Sequence, residues 1–197
     1  MSIPMALLAL LSSGPRYGYQ LRSEFEAQTG GTWPLNVGQV YSTLNRLQRD
    51  GLVRGLGEDA DGRPGYEVTE AGRAQVRDWF VTPRRAAGRP RDELAIKLAL
   101  AVSQPDVDLA AVVQAQRTET VRLLQDLTHL KARADAGELA WLLVLDSLIF
   151  QAEAEARWLD ACEGRLAAAN RLGPAGAVPE GAGVEAPASP LRAGGRQ

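Results

Sequence analysis

The feature that most limits what this chain can fold into is a change of hydrophobic period at Leu52–Val53. Before it, "NVGQVYSTLNRLQRD" (36–50) repeats apolar residues at helical spacing. After it, "LVRGLGEDADGRPGYEVT" (52–69) reads as two short strands about an Asp61-Gly62 turn, with Tyr66 and Val68 alternating on the return strand.

The flanking segments complete a pattern. A first helix is expected over about 3–12, with Pro4 near its start and "SGPRYG" as its stop. A second runs over about 17–28, with Tyr17, Leu21 and Phe25 on one face. In the intervening "TGGTWPLN", Gly30, Gly31 and Pro34 break the helix, and Trp33 and Leu35 cover the core. Thr69 stands where an N-cap belongs, ahead of a helix carrying Val76, Trp79 and Phe80. Three helices, a hairpin and a helix is the order of a winged helix-turn-helix domain.

Beyond it, "TPRRAAGRPRD" has linker composition, and "ELAIKLALAV" opens a different regime. Long helices are expected over about 106–135 and 138–171, broken at Ala136-Gly137. Helices of roughly 30 residues are about 45 Å long, too long for one chain to bury, which predicts a hairpin completed by a second protomer. The Pro-, Gly- and Ala-rich end has no apolar period and reads as disordered. The expected fold class is mainly α: residues 1–82 a winged helix-turn-helix domain, 83–91 a linker, 92–171 a long-helix dimerisation and effector domain, and 172–197 a disordered tail.

The third helix carries the chemistry. At 100° per residue, Val37, Val40, Tyr41, Leu44 and Leu47 fall within a sector of roughly 120°. The remaining face holds Gly38, Gln39, Ser42, Thr43, Asn45, Arg46 and Arg49. Asn36 as N-cap with Gln39 three residues on makes a variant of the capping box. A helix in the major groove meets base edges with its N-terminal residues, where Gln suits adenine and Arg suits guanine, while hydroxyls and amides bind phosphate. Gly38 lets a sugar-phosphate backbone approach the helix end. Tyr41, at the edge of the apolar stripe, packs its ring inward and turns its hydroxyl to a phosphate. Arg63, at an otherwise acidic hairpin tip, reads either as a minor-groove or phosphate contact or as an exposed surface residue.

Bulk charge adds little, since the formal net charge is −2. Its distribution says more: residues 1–89 hold 11 Arg against 9 Asp and Glu (+2), and residues 90–197 hold 11 Lys and Arg against 15 Asp and Glu (−4). One Cys (Cys162) excludes an internal disulfide, and with one His (His129) it excludes the usual His/Cys metal sites. His129 reads as a half-exposed surface residue and Cys162 as a small buried one. The N-terminal apolar run is too short to span a bilayer and lacks a basic leader, so the protein is expected in the cytoplasm, away from membranes. No P-loop, dinucleotide-binding glycines or nucleophile elbow is present, so no enzyme and no cofactor are expected.

"GPRYGYQL", "NVGQVYSTLNRLQRDGLV", "GYEVTEAGR" and "RDELAIKLALA" together resemble the PadR family of transcriptional regulators, over residues of about 3 to 170. The resemblance implies a homodimeric repressor that binds a palindromic operator in double-stranded DNA, with a C-terminal helical domain that dimerises and takes a small effector. It places Tyr41 on backbone phosphate, Gln39, Ser42, Asn45 and Arg46 in the major groove, and Tyr17 near the DNA backbone. Where many relatives carry several basic residues on the return strand, this chain has "RPGYEVT", which shifts recognition onto the third helix. The length of the C-terminal region matches the larger-domain branch.

Trp79, Trp141, Phe150 and Trp158 are candidates to line a pocket for a small aromatic effector, against a plain core reading. Glu153, Glu155, Asp160 and Glu163 read as the solvated side of a helix. The alternative function is a winged-helix protein-interaction module without specific DNA binding, motivated by the near-zero net charge and the acidic wing.

Overall fold

The computed structural model describes residues 3–58, 62–83 and 92–172. Its elements run α1 (Ile3–Leu11), β1 (Arg16–Tyr17), α2 (Gly18–Gln28), α3 (Val37–Arg49), β2 (Val53–Glu58), β3 (Pro64–Val68), α4 (Glu70–Val81), α5 (Glu93–Ala101), α6 (Leu109–Arg133) and α7 (Leu139–Leu172). The architecture is the expected mainly helical one, a winged helix followed by long helices. Asp61, most of the linker and the tail from 173 onward lie outside the described residues. No helix of the described residues is long and apolar enough to cross a membrane.

The first six elements and α4 close around α1, which touches α2, α3, α4 and β3. Leu7, Leu8 and Leu11 meet Leu21, Val40, Leu44 and Val53, all fully or almost fully buried. β3 is the middle strand of an antiparallel sheet in the order β1-β3-β2, with Val53 opposite Val68 and a bulge between Gly55 and Gly57. β1 is not legible in the sequence: Arg16 and Tyr17 pair with Tyr66 and Gly65, and a two-residue strand has no period to detect. Tyr17 consequently stands at the N-cap of α2 with extended backbone (φ −87, ψ 157) instead of continuing the face of Leu21 and Phe25.

Both helices of the helix-turn-helix end in the same way. Gly30 (φ +57) donates its N–H to the Ala27 carbonyl and Gly31 to the Glu26 carbonyl; Gly51 (φ +72) donates to Gln48 and Leu52 to Leu47. This crossed pair of bonds needs a left-handed residue after the helix, a conformation glycine adopts without a Cβ penalty. Glu26 then ties the turn to the approach to α3: its carboxylate accepts from Arg22 Nε (2.9 Å) and from the Leu35 N–H (3.2 Å), one residue before the cap of that helix.

Three local expectations are corrected. Asn36 does cap α3, but its Oδ1 accepts from Gly38 N (2.8 Å), and the Gln20 Oε1 to Tyr17 N–H bond (2.9 Å) lies at the start of α2 instead. Val37 is exposed, because at the first helical position its Cβ leans out past the end of the core. Thr43, placed on the polar face, is buried: its hydroxyl donates to the Gln39 carbonyl (2.7 Å), so no polar atom is left unsatisfied.

The C-terminal helices form an antiparallel hairpin with a seven-residue seam. Val113, Thr120 and Leu127 of α6 face Leu145, Ala152 and Leu159 of α7, all buried. Of the acidic row of α7, Glu155 lies in this seam, whereas Asp160 stays exposed at its edge and Glu153 and Glu163 are half-exposed. Glu155 accepts from the buried Thr120 hydroxyl (2.6 Å) and from Gln116 Nε2 (3.0 Å), and Asp160 pairs with Arg117 (2.6 Å). Asp146 pairs with Lys131 (2.5 Å), while Glu153 pairs along its own helix with Arg157. A polar residue at a buried heptad position, matched by one partner, allows a single register.

Two consequences are measurable. Leu159→Ala removes a fully buried side chain between α5, α6 and α7 and is expected to cost about 2–5 kcal/mol in urea unfolding followed by circular dichroism. The hydrogen bond from Arg22, then that from Leu35, holds the Glu26 carboxyl below its ordinary value of 4.5. Its contribution to stability is therefore present above that value and lost as pH falls through the lowered one. A carboxyl NMR titration should place Glu26 below its unfolded midpoint, and Glu26→Gln should reduce the acid destabilisation.

Candidate nucleic-acid interface

The buried stripe of α3, Val40, Leu44 and Leu47, seats the helix against the core and turns its other face outward. Gly38, Gln39, Ser42, Asn45, Arg46 and Arg49 are all exposed on that face. Among the described residues the side chains of Gln39, Asn45, Arg46 and Arg49 make no hydrogen bond or ion pair. Ser42 donates to the Gln39 carbonyl (3.0 Å) and keeps its lone pairs outward. Gly38 has a second reason to lack a side chain: a Cβ would come within 3.3 Å of the capping Asn36 Oδ1.

Tyr41 is half-buried at the boundary of this face, and its ring lies on the backbone of Gly18 at the start of α2. A Cβ at position 18 would stand 2.8 Å from Cε1 and Cζ of that ring and 3.1 Å from its hydroxyl. The phenol is thus held beside the first, unbonded N–H groups of α2, a setting that attracts anions. Tyr66 packs beneath on β3; burial, with a smaller contribution from Tyr41, pushes its hydroxyl above the usual 10.0. Gly18 is a close-packing position that sequence reasoning missed, although "YGY" between a turn and a helix is the signal for a close approach.

The wing supplies less charge than its sequence contains. Arg54 is held by Glu67 through Nε (2.9 Å) and Nη2 (2.6 Å), and Arg16 is held by Glu24 (2.7 Å). Arg63 places its guanidinium 5.1 Å from the centroid of the Tyr17 ring, within cation–π range. Two residues singled out separately are therefore adjacent, at the side of α2 where Tyr41 also lies.

The four candidate effector aromatics do not share a cavity within the chain. Trp79 stacks obliquely on Phe80 with centroids 4.9 Å apart, Phe150 is largely exposed, and Trp141 rests on Gly30. Trp158 alone of the four borders an apolar groove of about 310 Å³, with Leu98, Leu109, Val113, Cys162 and Leu166. They separate because they sit on different elements and helix faces. Cys162 is half-buried at that groove, and His129 is exposed. Among the described residues no three His, Cys, Asp or Glu side chains converge to hold a metal.

Comparison with known proteins agrees with this geometry. Residues 7–78 match the transcriptional regulator PadR-like family, and residues 90–167 match the virulence activator alpha C-terminal domain. A probable transcriptional regulator of Mycobacterium tuberculosis, Rv1176c, is 27% identical over 179 residues, 81% of this chain and 95% of that one. The negative transcriptional regulator PadR of Bacillus subtilis is 26% identical over 96 residues, 47% of this chain and 52% of that one. Among solved structures, the Vibrio cholerae virulence activator AphA superposes with a TM-score of 0.61 at 27% identity, covering 84% of this chain and 98% of that one. Bacillus subtilis PadR in complex with operator DNA superposes with a TM-score of 0.63 at 22% identity, covering 81% and 95%. With its winged helix and its long-helix hairpin in this order, the chain carries a domain of the PadR-like family of transcriptional regulators at residues 7–78, followed by a virulence activator alpha C-terminal domain at residues 90–167.

Proposed function

We propose that this protein is a homodimeric repressor that binds a palindromic operator in duplex DNA through α3 and is released by a small effector. The observation that carries the reading is the outward face of α3, where Gln39, Asn45, Arg46 and Arg49 are exposed and uncommitted within the chain. Gln39, one turn from the helix start, reads base edges together with Asn45 and Arg46. Ser42 enters the major groove beside them; Arg49, Tyr41, Tyr17 and Arg63 hold phosphates, and Gly38 admits the backbone. The neutralised Arg54 leaves α3 carrying most of the recognition. Bacillus subtilis PadR, whose crystal structure with operator DNA shares this fold, supports the reading.

Dimerisation is assigned to the C-terminal helices. Their seam covers one side of each helix and leaves Leu123 and Leu130 of α6 and Leu139, Leu143 and Phe150 of α7 exposed. At 34 residues α7 is about 50 Å long, so a second hairpin is the natural cover. The effector is assigned to the same helices, with the Trp158 groove suited to a small aromatic molecule. A p-coumaric acid complex is known for Bacillus subtilis PadR. The corresponding domain limits are residues 1–82 for reading DNA, 83–91 for the link, 92–171 for dimerisation and 172–197 for a tail.

Binding to duplexes selected from a random pool tests this. Gln39→Ala should change base preference, with discrimination at its position falling by about 1–3 kcal/mol. Tyr41→Phe should weaken all sequences alike by roughly 0.5–1.5 kcal/mol without changing the salt slope, because a neutral hydroxyl displaces no counterion. Arg49→Gln, which removes a phosphate contact, should lower that slope by about one unit, whereas Arg46→Gln should relax base preference at its position. Failure of the wild-type protein to prefer any selected duplex over random DNA at low salt would favour the protein-interaction module, the reading the acidic wing would otherwise suggest.

For assembly, Phe150→Glu should convert the dimer to a monomer of unchanged helix content in sedimentation equilibrium. The wild-type melting temperature should rise with concentration, as it does when folding and association are linked. A wild-type monomer would overturn the interface.

A further inference from the structure

The turn between α2 and α3 is pressed from outside by the long-helix hairpin. A Cβ at Gly30 would stand 2.4 Å from Trp141 Cε3 and 2.5 Å from Cδ2 and Cζ3, so the six-membered ring of the indole lies flat on the Gly30 backbone. Trp141 is the third residue of α7, and α2 meets α7 at this place. Behind the indole, α7 is braced on α6 by Lys131–Asp146 and Arg117–Asp160. Ahead of it, Gly31 N–H bonds the Glu26 carbonyl (2.7 Å), and the Glu26 side chain holds the Leu35 N–H next to the cap of α3. A continuous packed path therefore joins the hairpin to the start of the reading helix.

We infer that Trp141 is a positioning residue for operator spacing: by seating on Gly30 it sets the angle between each winged helix and the hairpin, and so the separation of the two reading helices. The inference rests on the dimeric, two-half-site reading above. A dimer matches half-sites about 34–36 Å apart, and each inserted base pair moves one half-site by about 3.4 Å and turns it by roughly 35°. A reader held at one angle tolerates that poorly, whereas a reader hinged at a loose contact accommodates it.

The test uses full-length protein and a duplex selected by the wild type from a random pool, rebuilt with one or two base pairs added to or removed from its centre, and also as a single half-site. Wild type should lose about tenfold or more in affinity per altered spacing. Trp141→Ala, and Trp141→Leu as a variant that keeps apolar volume, should reduce that penalty to about threefold or less. Their half-site affinity should stay at the wild-type value, and Trp141→Phe, which keeps a flat ring, should restore most of the penalty. Retention of the full penalty by both Trp141→Ala and Trp141→Leu, or an equal loss on the half-site, would overturn the inference while leaving the dimeric reading intact. A wild type indifferent to spacing would take both down.

Discussion

The contact on which the reading unit depends is the ring of Tyr41 laid on the bare backbone of Gly18. It is close enough that one added methyl group at position 18 would force α2 and α3 apart. It brings the polar face of α3 level with the free N–H groups of α2. The wing lies close by: Tyr66 of β3 belongs to the core cluster against which Tyr41 packs, and Arg63 stands over the Tyr17 ring. α3, α2 and the wing thus come together around Tyr17, Tyr41 and Tyr66, of which Tyr66 is buried and the other two are half-buried.

The charges around this junction divide the labour. Arg16, Arg22 and Arg54 each have a carboxylate of their own, so they shape the domain and leave a partner little to claim. Of the three, only the Arg54–Glu67 pair has an exposed guanidinium, and a pair of that kind contributes little stability. Their pairing contrasts with Arg46 and Arg49 of α3, which are exposed and make no ion pair among the described residues. A chain of net charge −2 can in this way present a positive face without being basic. In the hairpin the seam is satisfied internally through Thr120, Gln116 and Glu155, while the outer faces carry exposed apolar residues such as Leu123, Leu143 and Phe150 among charged ones.

Element order apart from β1, helix ends and the direction of α3 are legible from residues 3 to 172 because they rest on local physics. Caps such as Asn36, Thr69 and Asp108 bond amides two or three residues away, and Gly30 and Gly51 terminate helices through their own backbone. The residues that mislead are those whose environment is set from a distance. Thr43 looks polar yet is buried, and Val37 looks apolar yet protrudes. Glu155, a charged residue in a row of carboxylates, looks solvated but is half-buried against α6. Residue type alone nominates the four candidate aromatics, and type does not say which helix a ring will meet.

By itself, then, the sequence determined the succession of elements, the capped and polar-faced third helix, and the presence of a long-helix region too extended to bury alone. Only the tertiary structure decided that Tyr41 sits on Gly18, that Arg63 lies over Tyr17, and that Trp141 closes on Gly30, joining residues 111 positions apart. The reason is physical. Period, cap and turn are settled within a few residues of backbone, whereas a close approach between glycine and an aromatic ring exists only once two separately specified surfaces have docked.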